Sequence, residues 1–269
     1  MSRRRLDAEL VRRGLLASRQ QASDAIAAGR VTVGGAPALK STRMVDASEP
    51  IELAGAPPRY VSRGGAKLEA ALRHWKIDPA GRCALDAGAS TGGFTDCLLQ
   101  HGCDHVTAVD VGYGQLSATL RDDPRVENRE RTNVRHLVSG DVDHAVDLVV
   151  CDLSFISMTR VIGALVSAAE EHAEFVLLVK PQFEAGKQEA SRGKGVIRDP
   201  EVWGRVIREV VAACRAADVG IMDVMASPVR GPEGNREFLV HGWRGRAPSL
   251  TDQVIADVVA ATAGEEARR

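Results

Sequence analysis

Aromatic residues are scarce in this chain of 269 residues: three Trp, two Tyr and five Phe amount to 4%. Any core must be built mainly from aliphatic side chains, and 44% apolar residues suffice for one large domain and a small one. Long hydrophobic runs are absent. No stretch approaches the ~20 apolar residues that cross a bilayer, and no strand series alternates as in a membrane barrel. The opening MSRRRLDAELVRRG has no apolar signal-peptide segment. A cytoplasmic protein with no membrane partner is expected. Cys83, Cys97, Cys103, Cys151 and Cys214 are odd in number and lack CxxC spacing. They read as reduced packing residues, and no metal site is expected.

Net charge is also nearly absent, with 35 Lys and Arg against 36 Asp and Glu. It is unevenly spread: residues 1–65 hold 11 basic against 6 acidic, leaving 24 against 30 for the rest. A basic small part on an acidic larger one suggests a nucleic-acid-gripping module joined to a catalytic body. In the basic part, Leu6, Leu10 and Val11 form the stripe of a helix that Gly14 closes. In a second helix Ser18 and Gln21 stand at capping-box spacing, Ala22, Ala25 and Ile26 face inward, and Gly29 ends the run. A strand at Val31, Thr32 and Val33, a tight turn at Gly34 and Gly35, and a strand near Pro50 to Leu53 follow. Arg3, Arg4, Arg5, Arg12, Arg13, Arg19 and Arg30 surround these elements. The stretch LDAELVRRGLLASRQQASDAIAAGRVTVGG resembles the RNA-binding domain first defined in ribosomal protein S4. That resemblance implies contact with structured RNA, for which Arg3, Arg4, Arg5, Arg19 and Arg30 are the candidates; the competing reading is a solvated basic cap. Residues 1–58 are assigned to this small α+β domain, 59–65 to a linker and 66–269 to the second domain.

After a helix carrying Lys67, Leu68, Ala71 and Leu72, strands and helices alternate. Strands are placed near 83–86, 105–110, 125–130, 146–152, 174–180, 220–226 and 236–242, with helices between most of them, notably 157–170 and 201–217. The fold class is α/β, a seven-stranded, Rossmann-like sheet covered on both faces. Pro228 to Asn235 leaves no room for a helical crossover, so the last strand must run antiparallel to the one before it.

The first strand of that sheet runs into Asp86, then Gly88, Ser90, Thr91, Gly92 and Gly93, and a helix opening with Phe94. Glycines let backbone approach a ligand, and the helix start offers free N–H groups. A dinucleotide fingerprint wants G-x-G-x-x-G, and its second glycine is missing here. Asp86 suits the cationic methionine end of S-adenosylmethionine, and Asp110, closing the run from Val106, suits ribose hydroxyls. S-adenosylmethionine is therefore the expected cofactor, with Val111 beside Asp110 included in its site. Tyr113 and Asn133 read either as adenosine contacts or as structural residues. Gln182 to Gly195 reads as a mobile loop in which Lys187, Arg192 and Lys194 touch RNA phosphate, or as a plain surface loop.

Ligands of open α/β sheets bind at the carboxyl ends of the parallel strands. Asp152 and Lys180 end two strands, Glu237 begins the reversed one at the same edge, and Lys67 lies on the helix before the sheet. Two lysines and two carboxylates around a methyl donor suit a hydroxyl nucleophile, which needs positioning and a proton acceptor. Lys180 is the expected base or orienting group, Asp152 and Glu237 hold the lysines, and Lys67 supplies positive potential. A lysine acts as a base only when neutral, a form that a second lysine and burial favour and carboxylates oppose. The Asp-Pro-Pro-aromatic pattern of amine methylation is absent from CDLSF at 151–155. Cys151, ending an apolar strand, reads as packing rather than as a nucleophile for base methylation.

SRGGAKLEAAL at 62–72, LDAGASTGGFTD at 85–96, AVDVGYGQL at 108–116, ERTNVR at 130–135, CDLSFIS at 151–157, LVKPQFE at 178–184 and SPVRGPEGNREF at 227–238 resemble the TlyA family of the FtsJ-like group. The resemblance covers nearly the whole chain. It implies a class I methyltransferase that uses S-adenosylmethionine to methylate the 2′-oxygen of cytidine in large-subunit and, for longer members, small-subunit rRNA. It also implies that loss of the enzyme alters sensitivity to capreomycin-type antibiotics. The family's Lys-Asp-Lys-Glu set falls on Lys67, Asp152, Lys180 and Glu237. One departure is visible: actinobacterial members carry Arg-x-Trp in the linker, and here Arg59 and Tyr60 are adjacent. The expected partner is ribosomal RNA or a ribosomal subunit, with no obligate protein partner. Two rival functions come with the resemblance, a pore-forming hemolysin and a non-catalytic ribosome-assembly factor.

Overall fold

A computed structural model describes residues 3–16, 18–55, 58–138, 140–186, 189, 191, 193 and 195–268. The chain divides into two compact units, Met1–Ser62 and Arg63–Arg269.

In the first unit, β1 (Arg4–Arg5) leads into α1 (Leu6–Arg12), followed by α2 (Arg19–Ala27), β2 (Val31–Val33), β3 (Ala36–Pro37), β4 (Met44–Val45) and β5 (Ile51–Leu53). The Ser18 hydroxyl accepts a hydrogen bond from the Gln21 backbone N–H, capping α2 at the spacing read from the sequence. β2 pairs antiparallel with β3 across the glycine turn and with β5 on its other side. The pairing of β1 with β4 was not foreseen, since two-residue strands carry no period. Leu6, Leu10, Ala22, Ile26, Val31 and Val33 form an aliphatic core. Asp7 and Glu9 are buried beside it. The Arg5 guanidinium, then Arg19, hold the Asp7 carboxyl at about 2, and Arg12 and Arg13 do the same for Glu9. Arg5 and Arg19 thus neutralise Asp7, and Arg3 pairs with Asp46. The Arg30 side chain donates to the Ala54 carbonyl, while Arg4 is exposed on β1. Tyr60 is buried; its carbonyl accepts from Gln21 Nε2, and the Arg59 guanidinium lies 5.2 Å from its ring.

The second unit opens with α3 (Gly64–Trp75), so Gly64 and Gly65 are helical rather than linker residues. Next come β6 (Cys83–Ala87), α4 (Gly93–Gln100), β7 (His105–Val109), α5 (Ala118–Arg121), β8 (Val126–Arg129), β9 (Leu148–Cys151), α6 (Ile162–Ser167), β10 (Glu174–Val179), α7 (Pro181–Glu184), α8 (Pro200–Ala216), β11 (Val219–Ala226), β12 (Phe238–Arg244) and α9 (Asp252–Ala267). Among the described residues they form one seven-stranded sheet in the order β11-β12-β10-β9-β6-β7-β8. β12 runs antiparallel to both neighbours, and the pairs β10–β9, β9–β6, β6–β7 and β7–β8 are parallel. β9 and β10 are buried along their whole length, which explains the unbroken apolar runs at Leu148–Cys151 and 175–179.

Two elements differ from expectation. The helix placed at 157–170 is a 3₁₀ turn at Met158–Arg160 followed by the short α6. The Glu184 carboxylate accepts from the Ser157 hydroxyl at 2.5 Å and the Met158 N–H at 2.8 Å, fastening the start of that first turn to the end of α7. The terminal helix α9 was not foreseen. Its residues are mostly small, and it buries only Ile255, Val259 and Thr262. No helix among the described residues is long and apolar enough to cross a membrane.

Candidate active site

β6 ends in Asp86 and Ala87, and the chain then turns sharply at Gly88. A Cβ at Gly88 would lie 2.7 Å from the Asp152 carbonyl oxygen, and one at Gly92 would lie 2.3 Å from a Leu120 methyl. Both glycines have positive φ. Their smallness lets chain pack on chain, not only ligand on backbone as the sequence reading supposed. The Gly88 contact, with the Asp152 N–H donating to the Ala87 carbonyl, ties the loop after β6 to the end of β9.

Above this junction lies a cleft of about 420 Å³, within the size range of small-ligand sites. Gly88, Ser90, Asp110, Val111 and Asn133 of the expected cofactor residues line it, as does Asp152. Asp110 accepts from the Ser90 N–H at 2.9 Å and the Gly112 N–H at 2.6 Å, and each carboxylate oxygen keeps capacity for another donor. Val111 is 67% exposed, an apolar surface beside that acid. The Asn133 side-chain oxygen caps the turn at Val134–His136 by accepting from the Arg135 N–H, so it is structural and cleft-lining at once. An acid, an apolar wall and an amide in one cleft suit a nucleoside-shaped ligand.

The other expected contacts lie elsewhere. Gly93 begins α4 and is buried, and Phe94 is a core residue. Thr91 faces the following loop, its carbonyl accepting from the Ser117 N–H. Tyr113 is exposed under the Arg131 guanidinium, 4.0 Å from its ring centre. Lys187, Arg192 and Lys194 lie outside the described residues.

Asp86 is fully buried, away from the cleft lining. One of its oxygens accepts from the Thr95 N–H and hydroxyl, fastening α4, and the other has no partner. Burial pushes this carboxyl up to about 7 from 3.8. The unfolded chain gives up this proton above about pH 3.8, while the folded chain keeps it until about 7. Stability therefore falls as pH rises across that window and levels off above it. Calorimetric melting between pH 4.5 and 7.5 should show the wild type losing stability relative to Asp86→Asn; parallel curves would refute it.

The four charged candidates do meet. Lys180 Nζ makes a close ion pair with Asp152, Lys67 Nζ lies 3.8 Å from the same carboxylate, and 2.6 Å from Glu237. Glu237 is 1% exposed and each lysine 7%, so the chain of charges sits behind the wall of the cleft that Asp152 joins. Lys180 also donates to the Ser154 hydroxyl at 2.9 Å. Cys151 is buried beneath, its thiol driven well above the ordinary value by burial, which disables it as a nucleophile.

Three groups escaped the sequence reading. Phe155 lines the cleft, is 91% exposed, holds φ at 66° and lies 5.1 Å from the Phe183 ring. Strained backbone of this kind clusters at functional sites, and the exposed ring faces the cleft without being part of the core. Glu130 accepts from the N–H groups of Gly114, Gln115 and Leu116, shaping the loop after Asp110, and these bonds lower its carboxyl. Ser154 and Phe155 stand in CDLSF and Glu130 in ERTNVR, so the motifs contained them without showing their roles.

A family model described as FtsJ-like methyltransferase matches residues 60–244, and one for the S4 domain matches 4–51. The 16S/23S rRNA (cytidine-2′-O)-methyltransferase TlyA of Mycobacterium tuberculosis is 50% identical over 244 residues, 89% of this chain and 90% of its own. A solved structure from Streptococcus thermophilus, described as a candidate hemolysin, is 35% identical with a TM-score of 0.79, covering 100% of this chain and 99% of that one. An S-adenosylmethionine dependent methyltransferase from Mesorhizobium loti, 18% identical with a TM-score of 0.50, covers 67% of this chain and 99% of its own, and shares the fold.

Proposed function

From the premise that this chain belongs to the FtsJ-like methyltransferases, we propose that it transfers the methyl group of S-adenosylmethionine to the 2′-oxygen of a cytidine in ribosomal RNA. The observation that carries this reading is the run of alternating charges Lys180, Asp152, Lys67 and Glu237 behind the ligand cleft. The cofactor fits the residues present: Asp110 offers free acceptor capacity to ribose hydroxyls, Val111 an apolar face and Asn133 an amide to adenine. When bound, it supplies an electrophilic methyl on a sulfonium.

Lys180 accepts the proton of the 2′-hydroxyl as the oxygen is methylated. The ammonium so formed lies against Asp152, which stabilises it as the charge develops. Lys67 and Glu237 fix the Asp152 carboxylate from behind. Phe155 offers a flat apolar face on which the base of the target nucleotide stacks. Phe155→Ala should therefore weaken use of the RNA roughly 5- to 150-fold, the equivalent of 1–3 kcal/mol per stacked base. Steady-state kinetics would show it in KM for RNA with cofactor affinity intact; an unchanged KM would exclude stacking.

The first unit supplies RNA affinity. Arg4 is exposed, while Arg3, Arg5 and Arg19 can reach phosphate by exchanging Asp46 or Asp7 for it. By the same family relation, both ribosomal subunits serve as substrates, and loss of the enzyme lowers sensitivity to capreomycin-type antibiotics.

The test is transfer of labelled methyl to isolated ribosomal subunits, followed by complete alkaline hydrolysis. Alkali cleaves RNA only beside a free 2′-hydroxyl, so label in alkali-resistant dinucleotides is expected. Label in mononucleotides would mean base methylation, and no label on either subunit would favour a non-catalytic binding factor.

A further inference from the structure

Resting on the reading of Lys180 as proton acceptor, we propose that Ser154 is a positioning residue that fixes the orientation of the Lys180 amine. Ser154 is exposed in the cleft wall, and its hydroxyl oxygen receives a hydrogen bond from Lys180 Nζ at 2.9 Å. Lys180 itself is almost fully buried, and its other polar contact is Asp152. The segment carrying Ser154 is held at both ends. Its start is fastened by the Asp152 N–H donating to the Ala87 carbonyl, and its end by Glu184 receiving the Ser157 hydroxyl and the Met158 N–H.

In the neutral form that proton acceptance requires, the Lys180 amine has two hydrogens and one lone pair. Held by Asp152 alone, it can still turn about its carbon–nitrogen bond, presenting a hydrogen to an incoming hydroxyl as readily as the lone pair. With one hydrogen on Ser154 and the other toward Asp152, the lone pair takes the third position. The 2′-hydroxyl hydrogen passes to that lone pair while the bond from oxygen to the methyl carbon forms and the bond from sulfur to that carbon breaks. The resulting ammonium has three hydrogens, and they match three acceptors: Asp152, Ser154 and the newly made ether oxygen. Ser154 thereby serves the amine before and after transfer.

The experiment compares Ser154→Ala, Ser154→Thr, Lys180→Ala and the Ser154→Ala/Lys180→Ala pair in single-turnover and steady-state methyl transfer to ribosomal subunits. Calorimetry with S-adenosylmethionine checks that each variant is folded. Ser154→Ala should lower kcat about tenfold to a hundredfold, the scale of a misplaced reacting group. KM for RNA and affinity for S-adenosylmethionine should be unchanged. Ser154→Thr, which keeps the hydroxyl, should restore the rate, and Ser154→Ala should cost nothing further in the Lys180→Ala background. A wild-type rate in Ser154→Ala, a loss confined to RNA or cofactor affinity, or a full additional loss in the Lys180→Ala background would each overturn the proposal. An unmodified protein that labels no ribose would overturn the reading of the site itself, which an active wild type beside an unaffected Ser154→Ala would not.

Discussion

Lys180→Ala will lower ribose methylation by roughly 10²- to 10⁴-fold, the usual contribution of a positioned proton acceptor, while leaving S-adenosylmethionine and RNA bound at near wild-type strength. The separation is expected because Lys180 sits behind the cleft wall, held by Asp152 and Ser154, and the cofactor candidates Asp110, Val111 and Asn133 lie on other loops. The fall should therefore appear in single-turnover rates and not in binding isotherms. Lys180→Arg should rescue little, because a guanidinium does not give up its proton near neutral pH. A Lys180→Ala enzyme within a factor of three of wild type would remove this residue from the chemistry and leave proton loss to solvent.

Lys67→Met should destabilise the second unit by about 3–5 kcal/mol, the range for leaving one partner of a buried ion pair alone. Glu237 is 1% exposed and faces Lys67 at 2.6 Å, so its charge would lose its compensation without gaining water. Adding Glu237→Leu should recover most of that stability, since an apolar pair of similar volume is tolerated where a lone charge is not, yet it should not recover methyl transfer. Urea unfolding of the four proteins of this cycle tests it. Equal midpoints for wild type and Lys67→Met would mean that Glu237 is neutralised by something other than Lys67. The two predictions separate the roles in the cluster: Lys180 acts on rate, Lys67 on the integrity of the site.

The sheet and the charge cluster were legible because both depend on local rules. A strand buried on both faces reads as a near-continuous apolar run, so Leu148–Cys151 and residues 175–179 stand out, and the residue just past each strand, Asp152 or Lys180, falls at the ligand-binding edge. Glu237 was reached by chain length alone, because Pro228 to Asn235 cannot carry a crossover. Asp86 and Phe94 misled for the reverse reason. Motif position suggested ligand contact, and only the packing of α4 on β6 shows that Asp86 fastens Thr95 while Phe94 turns into the core. The ion pairs of the first unit were not legible in the charge count: Asp7 holds Arg5 and, twelve residues on, Arg19, while Glu9 holds Arg12 and Arg13.

By itself the sequence determined the succession of strands along the chain, the reversal of the last one, and the four charged residues at one edge, since periodicity, loop length and strand ends are properties of short segments. Tertiary structure alone decided which side chains close on one another: the bond from Lys180 to Ser154, the outward Phe155 at positive φ, the buried Asp86, and the Glu184 carboxylate that holds Ser157 and Met158. These depend on distances between residues remote in the chain and on which polar groups lose water together, and no local pattern encodes either.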